Sequence, residues 1–140
     1  MSTNLRELMQ SNRYLDPITN EWTDWPGRME ADHFVPVRYI KTMPGFQKLD
    51  SRWQGIILRY EGNIQPLPRH HNRYKSDHMP SEWWFTLGSD GEFHPVNADY
   101  LAEAAKWEQV IIEEIQNLID SSLAQLNQEQ RDKRWPYSPP

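Results

Sequence analysis

The chain has 140 residues, a net charge of −5 and no cysteine. This length suits one ordinary domain, and the lack of thiols excludes disulfides, thiolate zinc sites and cysteine nucleophiles. The negative charge argues mildly against a general nucleic-acid binder. Because the sequence shows neither an apolar signal segment nor an apolar run of membrane-spanning length, we expect a soluble, cytoplasmic protein without a membrane partner. Nucleotide-binding glycine motifs are also missing, and we expect no cofactor.

The amino-terminal part is predicted to hold a short helix and then an irregular loop. Asn4 and Glu7 have the spacing of a capping pair at a helix start. The loop at residues 13–30 mixes proline, glycine and asparagine with aromatic residues. Trp22 and Trp25 are expected to anchor this loop to the body of the protein.

Two strands are predicted in the middle of the chain. Residues 34–42 (FVPVRYIKT) and 52–63 (RWQGIILRYEGN) are rich in β-branched and aromatic side chains. Pro36 cannot donate to a ladder, which places the first strand at an edge or start. The second segment is apolar on both faces, which favours a central strand covered on two sides.

Residues 81–96 (SEWWFTLGSDGEFHPV) carry the clearest β-hairpin signal. Trp83, Phe85 and Leu87 recur with period two, Phe93 continues their apolar side on the return strand, and two glycines suit the turn. The predicted fold class is α+β. Its small antiparallel sheet has three to five strands and packs against a long C-terminal helix, with a short N-terminal helix.

A long amphipathic helix is predicted over residues 97–134, from the apolar stripe at helical spacing and the Asn97 cap. It would measure about 50 Å, whereas a compact domain of this size is roughly 37 Å across. We expect either a break near residues 120–122, with Ser122 as a new cap, or a second molecule that covers the stripe. We prefer the alternative in which a second molecule covers the stripe. Residues 1–134 are thus predicted to form one domain, and residues 135–140 an extended proline-rich tail.

If another molecule covers the stripe, the helix is a protein interface. The predicted interface residues are Ile111, Ile112, Ile115, Leu118, Ile119, Leu123, Leu126 and Trp135.

Residues 36–75 carry eight cations and only two anions, and acidic segments flank them. The simpler explanation is that acidic residues of the same chain neutralise these cations. The alternative is an anionic partner, held by Arg38, Arg52, Arg59, Arg69, Arg73 and Lys75. Tyrosine and tryptophan interleave with these cations, as single-stranded nucleic acid requires, but the same alternation is typical of any amphipathic strand.

The segment PLPRHHNRYKSDHMP, residues 66–80, gathers histidines, an aspartate and cations between prolines. One hypothesis is a metal site formed by His70, His71, Asp77 and His78. Another is acid–base or phosphodiesterase chemistry on a nucleic acid. The spacing matches no helical zinc motif and nearby cations disfavour a dication, so a connecting loop that presents positive charge is preferred.

The preferred function is a non-enzymatic interaction protein that associates through its long helix. Its partner would be another copy of the chain or a larger assembly, and an adaptor, an inhibitor or a viral structural or accessory protein fits equally. The alternative is a small nucleic-acid-binding or metal-dependent phosphodiesterase-like protein that uses the basic middle and the histidine segment. No residue is predicted to be catalytic.

Overall fold

The computed structural model describes residues 5–134, and side chains as far as Lys133. Asn4, Trp135 and the predicted tail therefore lie outside the described residues. The helices are α1 Leu5–Ser11, α2 Val37–Ile40, α3 Ser51–Leu58, α4 Arg69–Lys75 and α5 Ala98–Arg134. The strands are β1 Arg13–Leu15, β2 Trp22–Asp24, β3 Met29–His33, β4 Ile64–Pro68, β5 Phe85–Leu87 and β6 Phe93–Pro95. The predicted α+β class, with its short first and long last helix, is confirmed.

The strands form three antiparallel pairs, β1 with β2, β3 with β4 and β5 with β6. The expected single sheet of three to five strands is thus divided among three two-stranded ladders. Proline limits two of these ladders, because Pro66 and Pro68 in β4 and Pro95 in β6 have no amide hydrogen to offer a further strand.

The strands predicted at residues 34–42 and 52–63 are wrong, because neither segment pairs as a strand and each contains a helix, α2 in the first and α3 in the second. Asp50 explains why the second segment forms helix α3. Its side chain accepts a hydrogen bond from the backbone nitrogen of Trp53 at 3.0 Å and so caps α3. The two neighbouring isoleucines that favoured a strand lie on different sides of this helix, with Ile57 buried and Ile56 exposed.

The predicted hairpin is present as β5 and β6, but two residues of its apolar side, Phe85 and Phe93, face outward, while Trp83 before β5 is buried. Phe85 and Phe93 are 64% and 60% exposed, whereas Thr86 on the opposite face is fully buried. The polar Thr86 is accommodated inside because its hydroxyl lies 3.1 Å from Nδ1 of His71. A specific polar contact therefore determines which face of the hairpin packs inward.

Helix α5 runs without interruption through residues 120–122, and the chain itself covers most of its stripe. Ile111, Ile115, Ile119 and Leu126 are buried. The turn before α3 approaches α5 so closely that a β-carbon on Gly45 would lie 2.6 Å from a methyl carbon of Leu123.

Polar contacts extend this cover along α5. The amide of Gln116 donates to the carbonyl of Pro44 at 2.9 Å, and Arg52 pairs with Glu129 at 2.7 Å. The premise that the helix overhangs its own body is therefore wrong. It assumed a spherical domain, whereas the segment that precedes α3, together with α3 itself, lies along the second half of α5.

A buried ion pair joins α4 to β3. Nζ of Lys75 lies 3.1 Å from Oδ2 of Asp32 and donates to the carbonyl of His33 at 2.9 Å. Oδ2 of Asp32 also accepts a hydrogen bond from Gln65. Both charged groups are almost completely buried, and burial lowers the pKa of Lys75 and raises the pKa of Asp32. Each group thus stays charged because its partner offsets the cost of burial. This ion pair fixes helix α4 on strand β3.

We predict that replacing one member of this pair, as in Lys75→Met or Asp32→Asn, lowers the free energy of unfolding by about 3–5 kcal/mol, because it leaves an uncompensated buried charge. The double variant should lose less than the two single losses added together. Urea denaturation of the four proteins checks this. Strictly additive losses would contradict a coupled buried pair.

Candidate functional site: an arginine cleft

Three arginines converge on one open cleft, lined by Trp25, Arg28, Arg69, His70 and Arg73 and called the arginine cleft below. The register of the β3–β4 ladder explains the convergence. Met29 pairs with Pro68, so the next residues outward, Arg28 and Arg69, emerge opposite each other at the end of the ladder. Arg69 and Arg73 are one helical turn apart on α4 and share a side of it.

Trp25 forms the aromatic wall of the arginine cleft. Its ring centroid lies 5.0 Å from that of His70, and Tyr14 meets the indole edge-on at 6.3 Å. The turn after it is tight, since a β-carbon on Gly27 would lie 2.8 Å from the indole nitrogen. Glycine at this position therefore allows the chain to bend sharply between the tryptophan and Arg28.

The arginines of the cleft are exposed, and none of the three forms an ion pair among the residues whose side chains are described. Arg13 and Arg38 differ in this respect, because they pair with Asp24 and Asp77, both at 3.2 Å. Like charges placed close together repel one another. A bound anion would relieve this repulsion and accept hydrogen bonds from the guanidinium groups.

Two histidines in ring contact, tilted at 44° to each other, lie at the cleft. The rings of His70 and His71 are 4.0 Å apart, and His71 also packs against Tyr14 and Trp83. Burial lowers the pKa of His70, and burial together with the neighbouring His70 lowers the pKa of His71 to about 4. The carboxylate of Asp16 opposes both shifts and does not cancel them. At neutral pH these rings are uncharged packing groups rather than part of the cationic surface.

The structure separates the six predicted anion-binding residues. Arg69 and Arg73 line the arginine cleft, but Arg59 faces a different groove, between α3 and α5. Arg52 is paired with Glu129 and lies over the ring of Trp53.

Two further residues of the predicted anion-binding set already form ion pairs within the chain. Arg38 is paired with Asp77, and the charge of Lys75 is buried against Asp32. Lys75 is therefore not accessible to a ligand, and its assignment to an anion site is wrong. Arg28 and Trp25 were missed, because only the strand register, which the sequence does not reveal, brings them to α4.

The four predicted metal ligands do not converge on one point, although the rings of His70 and His71 are in contact. Nδ1 of His71 faces Thr86, Nδ1 of His78 lies 3.0 Å from the carbonyl of Lys75, and Asp77 pairs with Arg38. Within the described part of the chain, no three histidine, aspartate or glutamate side chains are placed to hold a metal ion. The segment is also not a simple loop, since much of it forms helix α4.

The predicted interface residues divide by exposure. Ile111, Ile115, Ile119 and Leu126 are buried within the chain, whereas Ile112, Leu118 and Leu123 are partly exposed. Trp107 and Val110, which the sequence analysis did not single out, are 39% and 43% exposed on α5. The surface of this helix that another molecule can reach is thus different from the predicted stripe.

Comparison of the chain with protein-family models, curated proteins and solved structures gave no match. Among residues 5–134, no helix combines the length and the apolar character needed to cross a membrane. The geometry of the arginine cleft and of the surfaces beside it is the basis for assigning a function.

The buried histidines predict a loss of stability in acid. Unfolded His71 takes up a proton near pH 6.5, but folded His71 does so only near pH 4. The unfolded chain therefore binds more protons between these values, and stability falls as the pH drops through this window, by up to about 3 kcal/mol. His70 acts in the same direction.

Urea denaturation between pH 7 and pH 4 checks this for the wild type and for His71→Gln. The variant should show a shallower loss of unfolding free energy across the window, whatever its stability at pH 7. Equal pH slopes in the two proteins would contradict a buried, neutral His71.

Proposed function

We propose that this protein binds a phosphate-bearing anion in the arginine cleft and acts by binding rather than by catalysis. The observation that carries the proposal is the convergence of Arg28, Arg69 and Arg73 without a carboxylate partner among the described residues. An uncompensated trio of guanidinium groups costs free energy in the free protein, and an anion offsets that cost on binding.

Phosphate suits this cleft better than a single carboxylate. Guanidinium groups donate paired hydrogen bonds in a planar fork that matches phosphate oxygens, and three of them favour a ligand with more than one negative charge. The open cleft offers about 620 Å³ of space. This space, beside the ring of Trp25, accommodates a phosphate together with part of the molecule that carries it.

A second candidate function is association with a protein through α5, either with a second copy of the chain or within a larger assembly. The exposure of Trp107 and Val110, one turn apart, supports it, since large aromatic residues are enriched in protein interfaces. Because the buried stripe is not accessible, this proposal now concerns the outer side of the helix.

We predict that Arg69→Gln and Arg73→Gln each weaken pyrophosphate binding about tenfold or more, because a hydrogen bond to a charged group contributes roughly 1.5–3 kcal/mol. Isothermal titration at low ionic strength measures this. Arg59→Gln is the matched control, since it removes the same charge from an exposed arginine in the other groove. Failure of the wild type to bind, or an equal loss in the control, would contradict a specific site.

For the second candidate, sedimentation velocity of the full chain at micromolar concentration should show a dimer or larger species that Val110→Lys converts to a monomer. The charged side chain is tolerated at this exposed helical position but cannot be desolvated in an apolar interface. A wild-type monomer at all concentrations would exclude self-association and leave only a different protein partner.

A further inference from the structure

A second unusual surface adjoins helix α4. Four exposed aromatic side chains, Tyr74, Trp84, Phe85 and Phe93, form what is called the aromatic surface below. Tyr74 and Phe93 meet edge-to-face with their ring centroids 5.1 Å apart, so helix and hairpin present one continuous pair of rings. Exposed rings in such a group are uncommon on monomeric proteins and mark binding surfaces.

The pairing of the hairpin turns its aromatic residues to one face. Phe85 pairs with Pro95 and Phe93 pairs with Leu87. The side chains of these two pairs therefore lie on the same side of the β5–β6 ladder. The buried Thr86 fixes this side as the outer one. Trp84 is held beside the hairpin because its indole N–H donates to the carbonyl of Ser81 at 3.3 Å. These rings are therefore positioned by the fold and remain accessible.

Helix α4 connects the aromatic surface to the arginine cleft. Arg69, Arg73 and Tyr74 lie on the same seven-residue helix, within about 8 Å along its axis. Tyr74 points about 100° around the helix from Arg73, so a flexible ligand must bend round α4 to reach both surfaces. A ligand that carries phosphates and flat rings at short intervals would engage both surfaces at once. Stacked nucleotides repeat about every 3.4 Å along a strand, so a few of them span this distance.

We propose that the ligand of the arginine cleft is single-stranded nucleic acid, whose phosphates bind the arginines while its bases stack on the aromatic surface. This inference rests on the proposed anion-binding function and specifies its ligand class. A positively charged groove lined with stacking rings is the combination that single-strand binders use. Duplex nucleic acid fits less well, because its bases are already stacked on one another and their faces are not accessible.

Because the net charge of the chain is −5, we expect nucleic acid to bind only at the arginine cleft and the aromatic surface. Acidic side chains on α5, such as Glu103 and Glu113, repel a long polyanion that passes near them. We therefore expect a short binding site, of the order of 4–10 nucleotides, and an affinity that falls steeply with salt.

Fluorescence anisotropy with the full chain tests the inference, using a ten-nucleotide oligothymidylate and an abasic ten-mer of the same charge. The oligothymidylate should bind at least tenfold more tightly, because stacking adds to the phosphate contacts. Phe85→Ala and Phe93→Ala should reduce its affinity toward that of the abasic strand. Binding of the abasic strand should be unchanged in both variants, which also shows that they fold.

Arg69→Gln and Arg73→Gln should weaken both strands, whereas the Arg59→Gln control should not. Equal affinities of the wild type for the two strands, with both still dependent on Arg69, would overturn the nucleic-acid inference and leave the anion-binding function standing. Tighter binding to the duplex of the same sequence would likewise overturn it. Absence of binding to either strand and to pyrophosphate would remove both proposals.

Discussion

The buried ion pair between Lys75 and Asp32 fixes helix α4 on strand β3, and the candidate surfaces depend on that placement. The helix carries two of the three cleft arginines, the histidine that meets Thr86 and the tyrosine that extends the aromatic surface. Burying two charges is expensive unless their geometry is good and their other hydrogen bonds are made. Here the carbonyl of His33 and the amide of Gln65 complete the arrangement. The pair therefore sets the position of α4 more than it adds to overall stability.

The arginines of this chain include some that form ion pairs and some that do not. Arg13, Arg38 and Arg52 are paired with carboxylates of the same chain, which is neutralisation within the molecule. The arginines of the cleft form no such pair among the described side chains, although the chain as a whole carries more acidic than basic groups. Within the basic middle segment, neutralisation inside the chain accounts for Arg38 and Arg52, whereas an anionic partner is our proposal for Arg69 and Arg73. Arg69 and Arg73 share helix α4 with Tyr74 of the aromatic surface.

Part of this structure follows from local sequence patterns. The long helix has a strong apolar period and a cap at Asn97, whose side chain accepts hydrogen bonds from the backbone of Asp99 and Tyr100. The hairpin has apolar residues at period two and a glycine turn. Prediction failed for two different reasons, a local cap that was not recognised and a long-range strand register. The α3 segment is apolar on both sides, so only the cap at Asp50 distinguishes a helix from a strand. The arginine cleft needs the pairing of Met29 with Pro68, across nearly forty residues, and no local pattern encodes that register.

The central claim, that Arg28, Arg69 and Arg73 bind an anion, is tested most directly by nuclear magnetic resonance of arginine side chains. Pyrophosphate would be titrated into the ¹⁵N-labelled protein while the Nε–H signals are followed. The account predicts that the signals of Arg28, Arg69 and Arg73 shift together and saturate, while those of the paired Arg13, Arg38 and Arg52 stay in place. Shifts of equal size in both groups, or none in the cleft, would contradict it.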